Sequence, residues 1–225
     1  MSLLRALPAL GLSLLVETTP EDLAAILEKM ARANQQMVTL AAALEQQKSY
    51  PQLGIEDPTE RGEFALKRKS GGGLLVRVEI REPEARIVTL DGRQFLLYQP
   101  RIKQAIEGTV DAGGGGRSGT SFVSYFLGGL TQAGKDYDLA ALGRVSLGDR
   151  KTFHLRLTPK AGAQVLYRQI DLWVDQELWM PIQQEFTEYN QSRTTLRFQN
   201  LRLNQDLPDS HFIQKLPPGV ERLRS

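Results

Sequence analysis

The chain has 225 residues, 41% of them hydrophobic and 24% charged, so it is long enough to bury a core and has neither a disordered nor a polytopic membrane composition. With 28 Lys+Arg against 26 Asp+Glu, the formal charge of +2 gives no electrostatic footprint for nucleic acid. The absence of cysteine removes disulfides, thiolate metal sites and cysteine nucleophiles together.

Residues 1–17 form a signal-like apolar segment with one basic residue, Arg5, too short for a comfortable transmembrane helix; the alternative is a first helix or arm packed on the fold. The rest, residues 18–225, reads as one domain. Thr19-Pro20-Glu21-Asp22 carries helix-start chemistry: a capping hydroxyl, a proline suited to the first helical position, and two acids for the positive helix end. Leu23, Ile26, Leu27, Met30 and Ala33 then recur every three or four residues and define one buried face.

After about residue 37 the period shortens toward two. Phe64 and Leu66 alternate with polar or small neighbours, and so do Leu74, Val76, Val78 and Ile80, with Ser70-Gly71-Gly72-Gly73 as the turn between them. Residues 86–99 read as a second hairpin about Asp91-Gly92. Further strands carry Phe153, Leu155 and Leu157, then Leu166, Ile170, Leu172 and Val174. Ile182 and Phe186 share one face of their strand and Leu196 and Phe198 one face of the next, with Asn190-Gln191-Ser192 as the turn. The apolar parity slips between Phe198 and Leu201, which calls for a β-bulge near Gln199 if the strand is continuous. Such alternation predicts a mostly β fold: a curved antiparallel sheet with one face covered by the N-terminal helix. Gly113 to Gly116 and Gly119, followed by Phe122, Val123, Tyr125, Phe126, Leu127 and Leu130, predict a hinge and a short apolar lid helix; a disordered loop followed by a core helix is the alternative.

Catalytic chemistry is sparse. The glycines before Thr120 lack the lysine of a phosphate loop, no Gly-x-Ser-x-Gly elbow occurs, and the two histidines show no metal-ligand spacing. No catalytic residue, metal site or cofactor is therefore expected. His154 falls at an outward parity, while Asp171, Glu185 and Glu188 read as exposed or rim carboxylates.

Three segments together resemble the outer-membrane lipoprotein carrier (LolA-like) family. They are Gly62-Glu63-Phe64-Ala65-Leu66-Lys67-Arg68, the stretch from Val88 through Asp91-Gly92 to Tyr98-Gln99-Pro100, and Thr194 to Leu203 followed by Leu207-Pro208, Phe212 and Pro217-Pro218-Gly219-Val220. The resemblance implies an incomplete β-barrel closed by helices, with an apolar cavity that shields acyl chains of lipoproteins or another lipid in the periplasm. The implied partners are an acylated lipoprotein or lipid, an inner-membrane releasing complex and an outer-membrane acceptor, with the carrier itself a monomer. Cavity lining is expected from Phe64, Leu66, Val76, Val78, Leu96, Phe126, Ile170, Leu172, Phe186 and Phe198. Arg68 matches the family's lid-latching arginine, and it shares parity with Phe64 and Leu66, where a cation needs acceptors. Where the family has a proline and tryptophans, this chain has Lys69, Phe95 and Leu97. A lipid sensor or a small-molecule enzyme on the same scaffold are the competing readings. A sensor calls for a further domain after the half-barrel, and an enzyme for converging polar groups in the cavity.

Overall fold

The computed structural model describes residues 20–109 and 134–224; the apolar segment 1–17 lies outside these, as does the expected lid helix with Phe126. Helix α1 (Pro20–Gln36) starts at the proline that its sequence chemistry assigns to the first turn. Its apolar stripe is buried as the spacing predicts: Ile26 and Met30 enter the core, with Leu23, Leu27 and Ala33 packed against it.

Thirteen strands build one sheet: β1 (Thr39–Tyr50), β2 (Ile55–Glu56), β3 (Glu60–Arg68), β4 (Leu74–Glu82), β5 (Arg86–Asp91), β6 (Gln94–Gln99), β7 (Gln104–Thr109), β8 (Tyr137–Leu147), β9 (Arg150–Pro159), β10 (Tyr167–Asp175), β11 (Pro181–Glu188), β12 (Arg193–Leu203) and β13 (Glu221–Arg224). Their order is β13-β7-β6-β5-β4-β3-β1-β12-β11-β10-β9-β8, with β2 hydrogen-bonded to β1 beside this path. Two antiparallel meanders, β3 to β7 and β8 to β12, are thus joined by β1, and the sheet stays open between β13 and β8. Glycine makes one close approach possible. A Cβ on Gly62 would lie 1.9 Å from the Glu79 carbonyl oxygen, beside the register shift between Arg61 and Gly62.

The sheet departs from a purely antiparallel one at an edge, where β13 runs parallel to β7. The cause is the connection. After β12 the chain crosses the convex face, where Phe212 and Leu207 pack on Ala65 and Leu75, and it reaches the far edge without a hairpin reversal. β1 is buried on both sides for the same reason, with Leu40, Ala42 and Leu44 on the concave side and Ala41 beneath the crossing segment. Among the described residues no helix is long and apolar enough to cross a membrane.

Candidate functional site

The concave face is built from cross-strand rows. Leu40, Leu66, Val76 and Leu90 form one row across β1, β3, β4 and β5, and Ala42, Phe64, Val78, Val88 and Leu97 form the next. In the other meander Leu157, Ile170 and Phe186 are in register, and so are Leu155 and Leu172. The halves meet where Leu44 pairs with Phe198, whose ring meets Phe64 edge-on at a centroid distance of 5.5 Å. Eight of the ten expected lining residues, Phe64, Leu66, Val76, Val78, Ile170, Leu172, Phe186 and Phe198, fall in this single cluster, none more than 6% exposed.

Leu96 does not join them. The two-residue turn Gly92-Arg93 pairs Asp91 with Gln94, so Phe95 and Leu97 face inward and Leu96 lies opposite Thr89 on the convex side.

At one end the concave face opens into a cleft of about 720 Å³, between the β8–β9 turn, the β10–β11 turn and the upper part of β12. Its apolar floor is Leu178, Ile182, Phe198 and Leu201. The β12 bulge expected near Gln199 makes this possible: Ala41 pairs with Arg202 and Ala43 with Gln199, Asn200 takes a left-handed φ of 53°, and Leu201 packs on the core. Arg150, Arg197 and Asp149 also line the cleft. Arg150 Nε donates to Asp175 Oδ2 at 2.6 Å, and Asp175 Oδ1 accepts from the backbone N–H of Glu177 and Leu178, which fixes the β10–β11 turn. Burial by itself raises the Asp175 carboxyl; the Arg150 and backbone hydrogen bonds outweigh it and hold the group below its ordinary value. The strand alternation showed Ile182 and Leu201 as apolar, but gave no sign that turn residues around 150 and 178 meet them.

Arg68 finds its acceptors at the exit of α1. Its Nε donates to Met37 O at 3.0 Å and its Nη2 to Asn34 Oδ1 at 2.7 Å. The last turn of α1 has no basic residue of its own, so Arg68 brings a cation from β3 to the negative helix end. Asn204, beyond β12, completes this tertiary cap: Nδ2 donates to Gln36 O, and Oδ1 accepts from Val38 N at 2.7 Å. The lid that Arg68 was expected to hold lies outside the described residues.

The convex face carries most of the ionised groups. Asp171 is not a rim carboxylate: it is 2% exposed, with His154 Nε2 at 2.7 Å and Arg156 Nε at 2.9 Å, and Gln169 Nε2 also donates to it. Burial raises its pKa, and those hydrogen bonds outweigh burial and lower it overall. His154, outward as its parity predicts, stacks on Trp173 at 4.6 Å. Among the described residues no group of three or more His, Asp or Glu is arranged to hold a metal ion.

A comparison with protein families matches residues 35–215 to the outer membrane lipoprotein carrier protein LolA. A search of curated proteins finds no match. Among solved structures, an uncharacterized conserved protein from Thermus thermophilus is similar at 12% identity and a TM-score of 0.57, over 91% of this chain and 99% of that one. The Pseudomonas aeruginosa MucA/MucB complex matches at 14% identity and a TM-score of 0.54, over 86% of this chain but only 61% of that one. The Mycobacterium tuberculosis lipoprotein LppX matches at 14% identity and a TM-score of 0.50, over 84% and 99% of the two chains. At such identities these structures establish a shared fold alone. The family match covers well over half of the sequence, and with the open, helix-covered sheet it places this chain in the outer membrane lipoprotein carrier (LolA) family, whose fold serves lipid and lipoprotein binding.

Proposed function

We propose that the protein is a periplasmic carrier that shields the acyl chains of a lipoprotein, or of another lipid, against its concave face during transfer toward the outer membrane. The observation that carries this reading is the continuous apolar surface running across both meanders and opening at the cleft floored by Phe198. The eight inward residues from Phe64 to Phe198, with Phe126 outside the described region, are the proposed acyl contacts. At about 0.8 kcal/mol per methylene, a chain of roughly fourteen methylenes represents on the order of 11 kcal/mol of apolar transfer, so it does not cross water unshielded. The cleft volume of about 720 Å³ is within the ordinary range of small-molecule sites. Arg68 has the role of holding the covering helix in register while apolar contacts beneath it exchange. The transfer partners proposed are an inner-membrane releasing complex and an outer-membrane acceptor. A second reading is a lipid-sensing domain that binds a partner protein; the MucA/MucB complex, in which a protein of similar fold is bound to a partner, is consistent with the partner-binding half of it.

Mass spectrometry of the organic extract from gently purified protein, paired with titration by a fluorescent polyene fatty acid, tests the proposal. Co-purified acyl species and saturable fluorescence enhancement are expected. Protein that extracts clean and gives no enhancement refutes it.

A further inference from the structure

We infer that an acyl chain enters the concave core at the seam between α1 and the β10–β11 turn, and that Trp179 is the gate there, displaced by the chain and then packed against it. This rests on the acyl-carrier reading and adds to it a route of entry and a further ligand contact. Trp179 stands between Leu178, which lines the cleft, and Met180, which is buried in the core. Its indole stacks on Phe153 of β9 at a centroid distance of 5.6 Å, and Lys29 of α1 sits over it at 4.4 Å. Arg144 of the edge strand β8 lies over the Phe153 ring in turn, at 5.6 Å. Cations and rings thus link the helix to the open edge of the sheet.

Two features set Trp179 apart from an ordinary packed side chain. The first is its backbone, which has a φ of 55°; among the described non-glycine residues with positive φ, Lys103, Trp179, Gln191, Asn200 and Asn204, it alone is bulky and apolar. A turn of that shape asks for glycine or asparagine, and a tryptophan there carries a steric cost. Hydrogen bonds hold the mount. Trp179 N–H donates to Asp175 O and Asp175 N–H to Met180 O, both at 2.9 Å, while the Asp175 carboxylate accepts from the N–H groups of Glu177 and Leu178. The ring can therefore swing about its side-chain torsions on a backbone that stays in place. The second feature is how the ring is held. Among the described side chains that pack on the core while only partly buried, it is the one aromatic and the largest. Among the described residues the turn exchanges no hydrogen bond or ion pair with α1, so Lys29 over the ring is the directional tie across the seam. A cation over a partly exposed ring is a weak tie beside the charged hydrogen bonds that Arg68 makes at the helix exit. The interior is close-packed, so an entering chain has to displace something. Trp179 is the group at the margin that vacates the most volume, and it offers the chain a flat apolar face in exchange.

Dibrominated stearate, whose bromines quench tryptophan fluorescence on contact, tests this on the full chain against unbrominated stearate. The chain's two tryptophans supply an internal control, because Trp173 stacks on His154 on the convex face. Brominated stearate is expected to quench the wild type and Trp173→Phe strongly and Trp179→Phe little. Uptake of the fluorescent fatty acid should be roughly threefold faster in Lys29→Met, as the loss of one exposed cation–π tie allows. It should be faster again in Trp179→Ala, with the urea midpoint reporting that each variant is folded. Trp179→Gly, which also relieves the positive φ, should match the alanine variant in uptake and stands in for it if alanine at this φ fails to fold. Stearate that binds while its brominated form leaves Trp179 unquenched overturns the gate and leaves the carrier reading standing. Uptake rates unchanged in both the Lys29 and the Trp179 variants do the same. Quenching confined to Trp173 puts the chain on the convex face and overturns both readings. If the wild-type protein binds neither stearate nor the fluorescent fatty acid, the carrier reading fails and the gate with it.

Discussion

Replacing Arg68 by leucine separates the two jobs that its position combines. The guanidinium makes two hydrogen bonds across the exit of α1, to Met37 O at 3.0 Å and Asn34 Oδ1 at 2.7 Å. Bonds from a charged donor contribute roughly 1.5–3 kcal/mol each, and the low end applies because Arg68 is only half-buried. Leucine recovers about 1 kcal/mol by packing in the row that holds Leu74, so the net loss is about 2 kcal/mol. It should be local. Hydrogen exchange is expected to speed up at the amides of residues 33–38, where Met37 N–H bonds to Ala33 O and Val38 N–H to Asn204, while β9 and β10 keep their protection. Arg68→Lys keeps the charge but reaches one acceptor at a time and should lie between the two. Uptake of the fluorescent fatty acid should change in rate in the leucine variant, because the cover is less firmly held. Unchanged exchange at the α1 exit and unchanged uptake in a folded Arg68→Leu protein would refute the reasoning.

Two further outcomes follow from packing and charge. Gly62→Ala sets a methyl group against the Glu79 carbonyl and should cost about 1–3 kcal/mol by forcing β3 and β4 apart, read as a lower urea midpoint with an unchanged slope; an unaltered midpoint counts against the described register. The carboxyls of Glu79, Asp171 and Asp175 are all lowered in the folded state, so their stabilisation is complete above the ordinary carboxylate range and is lost as pH falls through their folded values. The urea midpoint should therefore be level near neutrality and fall below about pH 4, and a midpoint that holds steady to about pH 3 contradicts the assigned ion pairs.

How much could be read from sequence depended on whether a feature was local. The alternation in β3 and β4 and the turns at Gly72-Gly73, Gly92 and Gln191, all with positive φ, are short-range, and so is the parity slip that marks the β12 bulge. Tyr167 shows where such reading stops. It shares sequence parity with Asp171, yet a register shift between Tyr167 and Gln169 turns it into the core beside Phe186, while Asp171 stays on the convex face. Asp171 itself resembled a rim acid because two of its three partners, His154 and Arg156, come from β9, and only the register reveals a cross-strand neighbour. The cleft was hidden for the same reason. Arg150 opens β9, Leu178 lies in the β10–β11 turn and Arg197 in β12, and only the tertiary fold brings them to one cleft.

On the proposed carrier function, the curvature of the sheet also bears on how a ligand would be let in and released. Interior residues such as Leu66, Leu155 and Val174 are fully buried and close-packed, so an acyl chain has to replace protein contacts and cannot simply fill a void. Exchanging one apolar contact for another is nearly neutral, whereas breaking a charge-assisted hydrogen bond is not. On the described cover these two kinds of contact are concentrated at different places: Ile26 and Met30 hold the body of α1 by apolar burial, helped by Lys29 over the Trp179 ring, and Arg68 and Asn204 hold its exit by polar bonds. On the proposed carrier function, a chain entering beneath Ile26 and Met30 would loosen the helix body at little cost and leave its C-terminal end tied to β3 and β12. The cover would then return to its original register when the chain departs. A uniformly apolar cover would have no such fixed point, and a uniformly polar one would not yield to the ligand.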